Sequence, residues 1–243
     1  MKRIVTLTVA MLYCLCSFAQ FSDSTHYLIK YASTGSINHT QDGNSYLLNN
    51  NFGFKVSKRK VSLNAGASYV YGKQNASLTN SDVSAAVDFN MYTDTAKIYY
   101  WGLANYDRSY SLKINNRFQG GLGIGYDLVR LPNAVINVTD GLLFENSNLF
   151  LHDTIQDIYS TVRNSFRLQY KWTIRNIVVL EGGNYFQQSL THGDDYIIRC
   201  INSMSVKLRS WLSVTASLTY NKLNRTEREN LLMNYGVTLE KFF

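Results

Sequence analysis

The stretch Ile114–Leu128, INNRFQGGLGIGYDL, constrains the fold most, because apolar and polar residues alternate along it. The apolar parity holds Ile114, Phe118, Leu122, Ile124, Tyr126 and Leu128, and the other holds Asn115, Arg117, Gln119, Gly121, Gly123, Gly125 and Asp127. A period of two predicts a β-strand with one face in an apolar medium and one in a polar medium. The stretch is longer than an ordinary strand of about 5–6 residues and suits a bilayer crossing, which takes roughly 9–11 tilted residues.

The same alternation recurs along the chain and predicts about twelve antiparallel strands. The predicted strands are Thr25–Asn38, Ser45–Ser57, Val61–Gly72, Asp82–Tyr92, Ala96–Tyr106, Ile114–Leu128, Ala134–Phe144, Thr161–Trp172, Ile177–Leu190, Tyr196–Leu208, Trp211–Asn221 and Leu231–Phe243. The facing of residues 96–106 and 177–190 stays open, because neither stretch has one clear apolar parity. We expect an all-β fold, a transmembrane antiparallel β-barrel. A soluble β-sandwich or lipocalin-like barrel is the alternative, disfavoured by so many long strands.

The lengths of the predicted links give an orientation. Links after the even-numbered strands are short, and most links after the odd-numbered strands are longer, including Lys73–Ser81 and Glu145–Ser160. Bacterial single-chain barrels have an even number of strands, short periplasmic turns and longer external loops. We therefore expect both termini to lie in the periplasm.

The N-terminal residues have the pattern of a secretory signal. Lys2 and Arg3 precede the apolar run Ile4–Leu15, and Ser17–Ala19 supplies a small residue, a spacer and a small residue for cleavage. We expect residues 1–19 to be removed and residues 20–243 to form one outer-membrane barrel domain. The expected location is the bacterial outer membrane.

Cysteine and charge exclude several classes of protein. Tyr13 before Cys14 and Leu15 before Cys16 are not the small residues that a lipoprotein anchor needs. Cys200 would then be the one cysteine left after cleavage, and its neighbours predict a place on an apolar strand face. The formal net charge is +7, but export and the lack of a long basic run argue against nucleic acid as a partner.

Charged residues on the polar parity predict the lining of the barrel interior. The inward bases are Lys55, Arg117, Arg163, Arg167, Lys171, Arg199 and Lys207, and the inward acids are Asp82, Asp88 and Asp127. Since rings of Lys and Arg select anions, one hypothesis is a narrow passive channel for small anionic solutes. The alternative is a structural or envelope-stress barrel without a through-pore, whose interior charges pair with one another.

Catalytic, metal and cofactor sites are not predicted. His26, His39, His152 and His192 stand apart from other metal ligands. An outer-membrane lipid-modifying enzyme is a further alternative, but it would need a histidine beside a serine on the apolar face, and no such pair is evident. The glycines of Gly120–Gly125 loosely match a dinucleotide-binding string, yet no helix pattern follows them. On the polar parity they predict room for bulky neighbours inside the barrel.

Several short motifs indicate a family. The sequences at Tyr106–Arg108 and Gly121–Tyr126, together with Tyr69–Lys73 and Trp211–Val214, resemble the domain of unknown function 481 (DUF481) family, described as salt-induced outer-membrane proteins. The resemblance extends from Gly35 to the end of the chain. It implies an outer-membrane β-barrel and implies no particular reaction, cofactor or ligand.

The C-terminal residues predict a partner during assembly. Phe242 and Phe243 end an amphipathic strand, which resembles the C-terminal aromatic signal read by the barrel-assembly machinery. The expected partners are therefore that machinery, the lipid bilayer of the outer membrane and, for a channel, small anionic solutes.

Overall fold

The alternating stretches form twelve antiparallel strands that close into one barrel. The computed structural model describes residues 27–41, 43–58, 60–93, 97–151 and 155–243, so the predicted signal segment 1–19 lies outside the described residues. Each strand pairs with its neighbours in sequence, and the first strand closes the ring by pairing with the last, with Leu28 opposite Phe242. The predicted all-β, transmembrane antiparallel barrel of about twelve strands is confirmed.

The strands are β1 Tyr27–Thr40, β2 Gly43–Lys58, β3 Val61–Gln74, β4 Ser77–Tyr92, β5 Ile98–Ser109, β6 Ile114–Leu131, β7 Ala134–Leu151, β8 Ile155–Ile174, β9 Val178–Ser189, β10 Tyr196–Lys207, β11 Leu212–Leu223 and β12 Arg228–Phe242. A short 3-10 helix, Asn224–Thr226, lies between β11 and β12. No helix within the described ranges has the length and apolar character needed to cross a bilayer.

Several strands extend further than the sequence predicted. The predicted link Lys73–Ser81 is mostly strand, and the chain reverses at Asn75 and Ala76, whose φ angles are +48° and +66°. The predicted link Glu145–Ser160 is also wrong, because it belongs largely to β7 and β8, which have 18 and 20 residues.

The strand ends were not predicted because several of their outward side chains, such as Asn146, Asn148 and Ser160, are polar. The outward Asn146 donates a hydrogen bond from Nδ2 to the outward Ser160 Oγ at 2.9 Å. Because both outward residues are polar, the sequence here lacks the alternation of apolar and polar residues that marks a lipid-facing strand. The placement of both termini in the periplasm stays a prediction. The long β7–β8 hairpin lies at the opposite end of the barrel from the chain termini.

The two faces of the strands differ as the alternation predicts, except that Ile114, predicted on the apolar outer parity of β6, points inward because the strand is bulged between Ile114 and Asn116, and it is 2% exposed. On β6, Leu122 and Ile124 point outward with 72% and 55% of their surface exposed, while Arg117 and Gln119 point inward and are buried. Cys200 lies on the outward parity of β10 and is half-buried. The apolar exterior and polar interior are those of a barrel surrounded by lipid.

In β5 and β9, the two strands for which the sequence did not show which parity faces lipid, large side chains lie on the inward parity. On β5, Tyr99 and Trp101 are buried inside the barrel, and the outward Tyr100 is exposed. On β9, Tyr185 points inward and Phe186 outward. The sequence left the facing of β5 open because two of its inward side chains are aromatic, and that of β9 because Asn184 and Gln188 on its outward parity are polar.

Inward glycines of β6 leave room for those rings. Tyr99, Trp101 and Leu143 form a buried cluster. A Cβ atom added at Gly123 would lie 2.7 Å from Trp101 Cζ2, and one at Gly125 would lie 2.2 Å from Tyr99 Cζ. The predicted role of the glycines as space for bulky neighbours is therefore seen in the packing.

We expect Gly123→Ala to destabilise the barrel. Its new methyl group would lie 2.2 Å from the backbone oxygen of Asp140, which cannot move without disturbing the sheet. The free energy of unfolding in denaturant should fall by about 1–3 kcal/mol. Gly53→Ala is the matched control, because its Cβ would meet nothing closer than 3.9 Å. Equal stability of the two variants would contradict this packing.

Candidate functional site

The predicted charged residues lie on the interior face, where the strand register pairs them with other inward residues. They are Lys55 on β2, Asp82 and Asp88 on β4, Arg117 and Asp127 on β6, Arg163, Arg167 and Lys171 on β8, and Arg199 and Lys207 on β10. They do not form one ring. Instead they occur at different heights of the barrel, in separate contacts.

Arg163 is the centre of the largest polar group. Its side chain is fully buried and donates from Nε to Glu145 Oε2 at 2.8 Å and from Nη2 to Asp195 Oδ1 at 2.9 Å. Tyr159 donates a further hydrogen bond to Glu145 Oε1 at 2.6 Å. Glu145 comes from β7 and Asp195 from the link before β10, so one guanidinium holds three segments together.

Side chains also connect strands that are not neighbours in the ring. Gln119 on β6 donates from Nε2 to Glu145 Oε2 at 2.7 Å and to Gln187 Oε1 on β9 at 2.9 Å. Asp107 on β5 accepts a hydrogen bond from Arg117 Nη2 at 2.9 Å and lies 3.7 Å from Nη1 of Arg199 on β10. The interior is therefore crossed by polar contacts.

One mouth of the barrel is covered by two turns that meet across it. We call residues 110–113, between β5 and β6, and residues 224–227, between β11 and β12, the cap. These turns belong to opposite sides of the ring of strands. Thr226 Oγ1 nevertheless donates to the backbone oxygen of Leu112 at 3.2 Å, and Asn230 Nδ2 donates to Ser111 Oγ at 2.9 Å.

An apolar cluster lies beneath the cap. Its members are Leu112, Ile114, Leu149, Ile197 and Leu223, each at most 8% exposed. Leu112 lies in one cap turn, and the other four lie at the adjoining ends of β6, β7, β10 and β11. Burial of aliphatic side chains here stabilises the cap and excludes water from the mouth.

Arg225 ties the cap to the wall formed by β8. Its Nε donates to Asp157 Oδ2 at 2.6 Å, and its guanidinium stacks 3.7 Å above the ring of Tyr159. Burial would lower the pKa of Arg225, but the hydrogen bond to Asp157 and the charge of that carboxylate raise it above the ordinary value. The guanidinium stays charged, so the tie persists at any physiological pH.

A cavity of about 320 Å³ remains in the interior. It lies mainly between β1–β3 and β10–β12, and the cap residue Leu112 contributes to its lining. Lys30 of β1 forms an ion pair with Glu181 of β9, four strands away around the ring. Neutral polar groups line much of the rest, including Thr34, Asn49, Asn51, Thr215, Asn221 and Asn230.

The other predicted interior residues contact nearby groups. The Arg167 guanidinium lies 5.3 Å from the centre of the Trp101 ring, and its Nε donates to Thr139 Oγ1 at 3.1 Å. Lys207 pairs with Glu240 at 3.4 Å, Asp127 pairs with Arg130 at 3.2 Å, and Asp88 accepts a hydrogen bond from Asn64 at 2.7 Å. Most charges of this interior are engaged, but Lys171 is exposed and Arg199 is only partly paired, and the described residues form no selective ring.

Sequence reasoning missed several inward acids. Asp107, Glu181 and Asp195 lie in or beside strands whose facing was open, and Glu145 was placed in a link. Among the described residues the interior therefore lacks the excess of positive charge that the sequence suggested. Glu145 was detectable in principle, because it continues the inward parity of Leu143.

Arg163→Gln should strongly destabilise the protein, because it leaves the buried carboxylates of Glu145 and Asp195 without their cation. We expect the free energy of unfolding to fall by about 3–5 kcal/mol. Arg209→Gln is the control, since Arg209 is exposed in the turn between β10 and β11, and surface substitutions usually change stability by no more than about 0.5 kcal/mol. Similar losses in both variants would show that Arg163 has no special structural role.

Solved structures of low sequence identity share this fold. The translocator domain of the autotransporter NalP from Neisseria meningitidis is 12% identical with a TM-score of 0.52, over 97% of this chain and 95% of that chain. The NanC porin is 9% identical with a TM-score of 0.52, over 87% and 98%. An outer-membrane channel from Pseudomonas putida F1 is 10% identical with a TM-score of 0.50, over 93% and 97%. At these identities the likeness extends to the fold alone.

The family is established at the level of sequence. No curated protein matches the chain. Residues 37–239, however, match the family model described as "Protein of unknown function, DUF481", which confirms the resemblance found in the short motifs. Because this match spans most of the barrel, the chain belongs to the DUF481 family.

Proposed function

We propose that this protein is a structural β-barrel of the bacterial outer membrane, rather than an enzyme, and that its lumen is closed to solutes. The observation that carries the proposal is the hydrogen bond from Thr226 to Leu112, which joins opposite turns across one mouth. The apolar exterior and the fold shared with outer-membrane barrels support the membrane location. The capped mouth would face outward if the termini lie in the periplasm.

Two further features oppose passage of an ion. The apolar cluster beneath the cap would have to separate and take up water, and hydrophobic constrictions of this kind act as closed gates. Below it, Gln119 on β6 contacts Glu145 on the neighbouring strand β7 and Gln187 on β9, so these side chains occupy part of the interior. A solute would have to break these hydrogen bonds and leave buried charged groups unpaired, which is costly.

Bilayer recordings test the proposal. We expect the purified wild-type protein to give no steady conductance in a planar bilayer. The double variant Arg225→Ala/Thr226→Ala removes the tie to Asp157 and one contact across the mouth, so it should give brief, small current steps, because the apolar cluster and the Gln119 contacts still narrow the path. Lys222→Ala is the control, because Lys222 is at the same end but contacts the Tyr196 ring on the outer wall. Silence of the double variant would show that the cap is not the barrier.

A narrow channel for small anionic solutes is the second candidate. The partly exposed Arg199 beside the interior cavity favours it. This candidate requires an anion-selective current from the wild-type protein and loss of that selectivity in Arg199→Gln. Such a pair of results would replace the closed barrel as the proposed function.

A further inference from the structure

We propose that the cavity beneath the cap is a binding site for a small hydroxylated solute that carries one negative charge. Its volume of about 320 Å³ lies at the lower end of the range of ligand pockets, roughly 300–1,000 Å³. The inference goes beyond the proposed closed lumen. The cavity lies below the cap, and its lining is the same whether or not a solute can pass through the barrel.

The negative charge of the ligand is inferred from the way in which Arg117 and Arg199 share the carboxylate of Asp107. Arg117 Nη2 donates to Asp107 Oδ2 at 2.9 Å, whereas Arg199 Nη1 remains 3.7 Å from Oδ1. Two guanidinium groups therefore share one carboxylate. The Arg199 side chain is 31% exposed, and its Nε has no hydrogen-bond partner among the described residues. A carboxylate on the ligand would complete the coordination of Arg199.

Most of the other inward charges of the lining are engaged; Arg117 Nη1 has no partner within the described chain, but the Arg117 residue is only 6% exposed. Lys30 pairs with Glu181. Asp82, towards the cap, accepts hydrogen bonds from Ser109 Oγ at 2.8 Å and from the backbone and hydroxyl of Ser111. An anionic group of the ligand therefore has its most favourable electrostatic interaction beside Arg199, and the other charged groups of the lining attract it little.

The neutral part of the wall explains the preference for hydroxyl groups. Threonine, serine and asparagine side chains from β1, β2, β10 and β11 surround the space. The hydroxyl of Ser217, which lines the cavity, lacks a hydrogen-bond partner within the described chain. Polar groups in protein interiors normally find a partner. A polyhydroxylated ligand offers donors and acceptors to such a wall.

Calorimetric titration with glucuronate and glucose tests the site, because these probes share a sugar ring and differ by one carboxylate. In detergent-solubilised wild-type protein we expect saturable binding of glucuronate and weaker binding of glucose. Arg199→Gln should weaken glucuronate binding about tenfold or more without changing that of glucose. Lys207→Gln is the control, since Lys207 pairs with Glu240 and does not line the cavity.

Arg199→Lys keeps the positive charge and should retain most of the affinity, which separates loss of charge from loss of fold. The proposal is overturned if glucuronate gives no saturable binding, if glucose binds as tightly, or if the Gln variants at both positions lose affinity equally. These outcomes are independent of the bilayer recordings, because binding in detergent does not require passage through the barrel.

Discussion

The buried contact of Arg163 with Glu145 and Asp195 is the interaction on which the interior depends. It joins β7, β8 and the link before β10 at one point, and Tyr159 and Gln119 extend it to further groups. Asp195 is also 3.4 Å from the guanidinium of Arg225, so the same group reaches the cap. Loss of this centre would disturb both the filling of the barrel and the closure of its mouth.

Two different physical demands act on the two faces of the sheet. The outer face must be apolar at every second position, because lipid surrounds it. The inner face has only to fill a limited space and to pair its charges. On one side aromatic rings lie over glycines, in the middle ion pairs cross the lumen, and on the other side a polar cavity remains. The interior therefore consists of three regions of different composition, although the strands of the wall are regular.

The sequence was informative where lipid imposes a strict period of two. It predicted twelve strands, the closed barrel and the inward parity of residues such as Arg117 and Arg163, as well as the family. It failed at strand ends beyond the apolar belt, where Asn146 and Ser160 face outward. It also failed for contacts across the lumen, because the partners of Lys30 and Gln119 depend on closure of the ring and have no local signature.

Closure of the mouth by the cap is tested most directly by a disulfide between its two sides. In a Cys200→Ser background, Ser111→Cys and Asn230→Cys replace two side chains that are hydrogen-bonded at 2.9 Å. Oxidation of the protein in membranes should link them in high yield. The pair Ser111→Cys and Asn75→Cys, at the same end of the barrel, should remain unlinked. A low yield for the first pair, or equal yields for both, would contradict a mouth closed by turns that meet across it.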